Sequence, residues 1–216
     1  MHHSKAHHSG YRAPVQFQRE QVHAAVEPYG FLPVYEHQID EFHQLADALI
    51  DGEIADPAAL WRVESWSGRA LLIRRQDGVA NAILASIPLT SAGVDALLSG
   101  RFGFANAERD WVCGPHEPAS ALLSWGMAGR SARDQTAALR CLLAAWYSIY
   151  SDVRVYARAR TLEGETLMAR LGFERVGLPG DGSALFGSTG YPLELARRLS
   201  MRGIEPPTNP ITESAL

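Results

Sequence analysis

Residues 70–89 read ALLIRRQDGVANAILASIPL, two apolar runs joined by Asp77-Gly78. Asp-Gly tolerates positive φ at both central turn positions, so the stretch predicts a β-hairpin with strands at Ala70–Arg75 and Val79–Leu89. Downstream, Ala119 to Met127 is an apolar run of strand size, and Ser131-Ala-Arg-Asp134 resembles a capping box. In such a box the hydroxyl and the carboxylate each satisfy an amide at a helix start. Ala138, Leu139, Leu142, Leu143, Trp146 and Tyr150 then mark the apolar face of a long helix. Val153–Ala157 alternates as a strand, Thr161 opens a helix from Leu162 to Leu171, and Gly172 stops it. Phe173–Val176 and Ala184–Phe186 are further strands, separated by a turn at Gly180-Asp-Gly182.

Upstream of the hairpin, Phe31–Tyr35 reads as a short strand. Ile39, Phe42, Leu45, Ala46 and Leu49 fall on one helical face, with Gly52 as the stop. Asp56-Pro57 starts a second helix through Leu60 and Val63, because Asp caps amides and Pro suits the first helical position. Ser91 caps a short helix through Val94, Leu97 and Leu98, closed by Gly100, and residues 102–118 read as a loop. A helix from Tyr191 to Ser200 completes the order. A hairpin feeding a strand–helix–strand unit requires a mixed sheet with helices on its faces, so the fold class is α/β with a mostly antiparallel central sheet.

With 216 residues, 46% of them hydrophobic, the chain has the composition of one globular domain with tails. The expected division is a disordered tail at 1–14, a single domain at 15–202 and a proline-bearing tail at 203–216. The first ten residues, MHHSKAHHSG, hold four of the eight histidines but no apolar stretch to pack. A net charge of −4 argues against a nucleic-acid partner. No apolar run reaches the roughly 20 residues of a membrane span. Cys113 and Cys141 are too few for a zinc framework, so no metal is expected. With no secretory leader read at the N-terminus, the expected location is cytoplasmic.

At residues 165–177, ETLMARLGFERVG, the sequence resembles the GNAT acetyltransferase superfamily, whose core ends with a helix closing on Leu-Gly-Phe before a strand. The order of elements is similar as well, and the likeness spans roughly Phe31 to Phe186. The resemblance implies acetyl-CoA as acyl donor, an amine of unknown identity as acceptor, and often a homodimer. It places the donor's pyrophosphate at the start of the long helix, where unpaired amides and the macrodipole favour anions. Donor contacts then fall to Met127, Gly129, Arg130, Ala132, Arg133, Asp134, Gln135 and Thr136. The family pattern is Gln or Arg, two residues, Gly, any residue, then Gly or Ala. Arg133 and Ala138 fit it, while Thr136 replaces the first Gly. A β-branched residue obstructs close approach to phosphate but offers a hydroxyl. Asp134 adds a negative charge that Arg130 and Arg133 would offset.

The resemblance also implies a tyrosine acid four residues before the Gly of Leu-Gly-Phe, but Met168 stands there. Thr161 stands where an Asn often holds the pantetheine arm. An acceptor amine must lose a proton, and His116 and Glu117 precede the central strand as candidate bases, with imidazole titrating near neutrality. Ser124 on that strand either hydrogen-bonds an acceptor or satisfies itself in the sheet. Trp125 and Trp146 are expected in the core, while Trp61, Trp66 and Trp111 either line an acceptor site or plug helix–sheet gaps. Arg74-Arg75, Arg158-Ala-Arg160 and Arg197-Arg198 read as solvated basic clusters. Two other readings stand beside acetyl transfer: a longer acyl donor carried by CoA or a carrier protein, and a non-catalytic binding protein of the same fold.

Overall fold

In the computed structural model, residues 19–177 and 184–188 are described. The tails at 1–14 and 203–216, the turn at Gly180–Gly182, Arg197-Arg198 and the helix expected at Tyr191–Ser200 lie outside them. Seven strands form one sheet in the order β1-β2-β3-β4-β5-β7-β6. They are β1 (Phe31–Pro33), β2 (Leu71–Gln76), β3 (Val79–Leu89), β4 (Ala121–Gly129), β5 (Arg154–Ala159), β6 (Phe173–Gly177) and β7 (Ala184–Ser188). Among the described residues only β4 and β5 pair in parallel; every other ladder is antiparallel. The expected mixed, mostly antiparallel sheet is what the chain forms.

Local chemistry explains the punctuation. Asp77 and Gly78 both take positive φ, 53° and 80°, as the hairpin turn requires. The Asp56 carboxylate accepts the Ala59 amide at the start of α3 (Pro57–Ser67), and Thr161 accepts the Gly164 amide at the start of α6 (Leu162–Arg170). Gly172, at φ 80°, ends that helix region in the left-handed conformation. At α4 (Ser91–Leu98) the cap is Thr90, not Ser91; its Oγ1 accepts the Gly93 amide. The expected loop at 102–118 contains a 3-10 turn at Arg109–Trp111 and a bridge from Val112 to Leu89.

One helix was not expected: α1 (Arg19–Val26), which buries Val22, Ala25 and Val26. It packs with α5 (Ala132–Ser148) on one face of the sheet, over Leu84, Leu122, Val155 and Phe173. The other face is covered by α2 (Ile39–Leu49), α3 and α4, over Ile73, Ile83, Leu123 and Tyr156. Sheet alternation divides the two cores: on β5, Val155 and Ala157 face α5, while Tyr156 faces α2 and α3. Among the described residues no helix is long and apolar enough to cross a membrane.

Candidate active site

Two irregularities meet in the middle of the sheet. The β3–β4 register runs Ala85↔Gly126 and then Ser86↔Ser124, which leaves Trp125 as a bulge residue. At the same level the β4–β5 ladder ends, its last pair being Ser124↔Ala157. Beyond it, β4 continues to Gly129 with β3 on one side only, while β5 continues to Ala159 against β7. A bulge bends its strand and increases the local twist, so the parting of the two strands at Trp125 has a structural cause. The backbone edge of β4 at 125–129 is left open toward β5.

A cavity of about 240 Å³ occupies this parting. Its walls are Trp125, Gly126 and Met127 of β4, Arg158 to Thr161 at the end of β5, Gly164 of α6, and Leu49, Ile50, Asp51 and Ile54 from the end of α2 and the following loop. Phe104 packs edge-on to Trp125, ring centroids 4.7 Å apart, and fixes the indole at the cavity wall. The parallel pair carries both chain ends to the same side: β4 leads into α5 and β5 into α6. Ligands of α/β sheets bind at such carboxyl ends of parallel strands.

The first turn of α5 lies just past Met127. Ser131 caps it, accepting the Asp134 amide at 3.2 Å and donating to Asp134 Oδ2 at 2.7 Å. This is not the reciprocal capping box read from the sequence. The Asp134 carboxylate turns inward, where Arg74 Nη1 and Asn81 Nδ2 donate to its Oδ1 at 2.7 and 3.0 Å. Asn81 is itself a bulge residue, skipped where the register passes from Arg74↔Ala82 to Arg75↔Ala80. Arg74 is therefore no solvated cation; it answers the charge that Arg130 and Arg133 were expected to offset. Arg75, read with it, pairs with Glu41.

Arg130 instead holds the neighbouring hairpin strand, its amide donating to Asn81 O and its Nε to Ala80 O. Ser131, Ala132, Arg133, Gln135 and Thr136 are exposed, and the amides of Ala132 and Arg133 have no partner among the described residues. Thr136 Oγ1 donates back to Ala132 O. Gly129 is required where it stands: a Cβ there would lie 2.5 Å from Gln135 N and 2.6 Å from Asp134 C.

Of the predicted residues, Met127 and Thr161 line the cavity; the α5 group lies beside it. His116 and Glu117 are exposed in the loop before β4, and neither lines it. Ala121 and Gly126 are five residues apart, about 17 Å along a strand, so that loop sits at the opposite end of β4. Arg69 ties the loop down, donating to the carbonyls of Gly114, Pro115 and Glu117. The Cys113 thiol donates to Pro118 O, and burial pushes its pKa up to about 11. Ser124 is buried on β4 and is not part of the lining.

Met168 packs against the α5-side core, and no tyrosine lines the cavity among the described residues. Trp125 packs against the α2–α3 side of the core as expected and is also a wall residue, while Trp146 is fully buried and Trp111 nearly so. Trp61 and Trp66 pack against the α2–α3 side of the core. Arg158 and Arg160, read as solvated, are cavity residues, and nothing in their sequence context announced it.

No family model and no curated protein matches the sequence. Solved structures do. The GNAT-like decarboxylase GphF, solved with isobutyryl-CoA, superposes with a TM-score of 0.52 at 14% identity, covering 73% of this chain and 97% of that one. A GNAT-family acetyltransferase from Streptococcus agalactiae gives 0.48 at 14% identity over 73% and 93%. A protein described as histone acetyltransferase HPA2 and related acetyltransferase, from Corynebacterium glutamicum, gives 0.43 at 18% identity over 73% and 92%. The chain has a GNAT-like fold.

Proposed function

We propose that this protein is an acyl-CoA-dependent acyltransferase that passes an acetyl group to an amine by direct attack. The observation that carries the reading is the parting of β4 from β5 at Trp125, with an open backbone edge on one side and a cavity beneath it. The amides of a pantetheine arm complement such an edge as an added strand would. The diphosphate falls to the exposed amides of Ala132 and Arg133 at the start of α5, with the Arg133 side chain beside them. Acyl-CoA occupies this architecture in the structurally similar GphF, solved with isobutyryl-CoA.

In this reading the thioester lies in the parting and its acyl group enters the cavity. The amine nitrogen attacks the thioester carbonyl carbon; the C–N bond forms, the C–S bond breaks, and the electron pair leaves on sulfur. Asp51 is the carboxylate among the described lining residues and takes the proton released by the amine. With Met168 in the position of the usual acid, the thiolate leaves without a dedicated donor, forgoing the roughly 10²–10⁴-fold that general acid–base help supplies.

The apolar wall formed by Leu49, Ile50, Ile54 and Trp125 favours a second reading, a donor with a longer acyl chain. Thermal-shift titration with CoA, acetyl-CoA and longer acyl-CoAs separates the readings. A ligand at 100 times its Kd adds about 2.7 kcal/mol of stability. Stabilisation by acetyl-CoA with thiol release on adding amines supports acetyl transfer; stabilisation by longer donors alone supports the second reading. Binding without turnover on any amine identifies a non-catalytic protein of this fold, and no shift with any donor removes the acyl-CoA assignment.

A further inference from the structure

We infer that Ile50 is a specificity-determining residue of the cavity, and that it selects an acceptor amine carrying an apolar group of about four to six carbons. This rests on the acyl-CoA reading above, in which Asp51 takes the amine's proton, and it names the acceptor class of that same site.

Ile50 is placed by the end of a helix. Its amide donates to Ala46 O at 2.8 Å, and its backbone is already extended, at φ −112° and ψ 122°. A β-branched side chain has few rotamers, so Ile50 is a stiff wall and not an adaptable one. It leans over Gly126: a Cβ there would lie 3.2 Å from Ile50 Cδ1, so the tip of Ile50 takes the space that a side chain at 126 would need. Trp125, Gly126 and Met127 are half-buried in a strand whose neighbouring residues on both sides are buried. The sheet is open at this level, and Ile50 lies over the opening. Leu49, Ile54 and the indole of Trp125 extend the apolar wall. Gly52 holds the intervening loop in place, since any Cβ there would collide with Arg160 Nη1.

An apolar cavity of about 150 Å³ is enough for benzene. At about 240 Å³ this one exceeds by several carbons what an acetyl group fills. Asp51 follows Ile50 directly in the chain. An amine whose proton goes to Asp51 therefore sets the carbons next to its nitrogen against Leu49 and Ile50. A second ammonium at the far end of such an amine would shed its water among aliphatic side chains. Arg158 and Arg160 share the lining, and the selection makes no use of their charge.

The test measures thiol release from acetyl-CoA with primary alkylamines from methylamine to octylamine. The value of kcat/KM should rise about threefold to fourfold per CH₂ and level off between butylamine and hexylamine. Putrescine, a diamine the length of pentylamine, should fall about tenfold or more below it. Ile50→Val deletes the Cδ1 methyl alone, and Ile50→Ala opens the wall further. The plateau should move to amines about one and about two carbons longer, with the melting temperature reporting the fold. If Ile50→Ala does not fold, Ile50→Val reads the same quantity. Turnover that ignores amine length, or CoA binding without turnover on any amine of the series, overturns this inference and leaves acyl-CoA binding standing. A length dependence that appears instead from acetyl-CoA to octanoyl-CoA, at one fixed amine, overturns it in favour of the longer donor. A plateau that neither variant moves overturns the assignment to Ile50. If CoA and every acyl-CoA fail to bind, the acyl-CoA reading falls and this inference falls with it.

Discussion

Arg74 on β2 reaches Asp134 on α5 across 2.7 Å, with side chains only 15% and 9% exposed. The pair joins the hairpin to the helix whose first turn is assigned to the diphosphate. Asn81 and Ser131 complete the carboxylate's shell, so its charge is answered inside the protein and the exposed amides of Ala132 and Arg133 keep their positive character.

Removing one member of a buried pair strands the other. Asp134→Ala should cost about 3 kcal/mol in urea unfolding, because Arg74 and Asn81 lose their acceptor together. Arg74→Met should cost less, since Asn81 and Ser131 still serve the carboxylate. In a double-mutant cycle the two changes should couple by about 1 kcal/mol or more. Strict additivity would show that the contact carries no energy.

Gly129→Ala sets a methyl group against backbone, 2.5 Å from Gln135 N and 2.6 Å from Asp134 C. Backbone in a capped helical turn has no rotamer with which to yield, so β4 and α5 must separate. The expected loss is about 1–3 kcal/mol of stability. CoA affinity should fall by a larger factor than in Gly78→Ala, a turn substitution with open space around it and only a positive φ to strain. Equal CoA affinities in the two variants would detach Gly129 from the donor site.

Arg69, 1% exposed, donates to three carbonyls of the segment that leads into β4. Arg69→Met keeps much of the volume but leaves those carbonyls short of donors. A loss of about 3–5 kcal/mol is expected in chemical unfolding, with hydrogen exchange rising first at 114–117. A loss below 1 kcal/mol, roughly that of one ordinary hydrogen bond, would mean that water replaces the guanidinium there.

What was legible in the sequence was local. Asp77-Gly78, Asp56-Pro57, Ser131, Thr161 and Gly172 announce turns, caps and stops through their own backbone chemistry, and each does so in the structure. Helix α1 was missed because its apolar side is only Val22, Ala25 and Val26, too short a stripe to stand out; it gains its stability by docking on α5. The cavity was illegible for a different reason. Arg158-Ala-Arg160 alternates as any solvated strand would, and only the distant loop at 49–54 closes over it. Likewise Asp134 takes Arg74 and Asn81 from β2 and β3, far off in sequence and unmarked by any spacing. His116 carries no spacing that ties it to a site, and its place before the start of β4 keeps it out of the cavity.

Alkaline pH should loosen the fold. Burial pushes the Cys113 thiol up to about 11 and the Tyr150 phenol up to about 12. In the unfolded chain these groups ionise near 8.5 and 10, so above about pH 8.5 the unfolded state binds fewer protons and stability falls as pH rises. The stability tied to Cys113 is fully present below about pH 8.5 and gone above about pH 11, at roughly 1.4 kcal/mol per unit of separation. Urea midpoints measured from pH 8 to 11 should decline, and Cys113→Ala should flatten the first part of that decline. A midpoint constant through pH 10 would contradict the buried thiol.

Trp125 offers an optical test of where the donor binds. It is the bulge residue at the parting of β4 and β5, half-buried, braced by Phe104 and part of the cavity wall. Trp146 and Trp111 are buried away from the cavity, and Trp61 and Trp66 do not line it. An acyl group entering the parting changes the surroundings of this indole alone. Acetyl-CoA titration should therefore shift the tryptophan emission, and Trp125→Phe should abolish most of the change while retaining binding in calorimetry. The acyl-CoA affinity itself should drop by about twofold to tenfold, as expected when one well-packed aromatic contact is trimmed. An emission change that survives Trp125→Phe would place the donor on another surface, and the parting of the strands would then be a structural irregularity without a ligand.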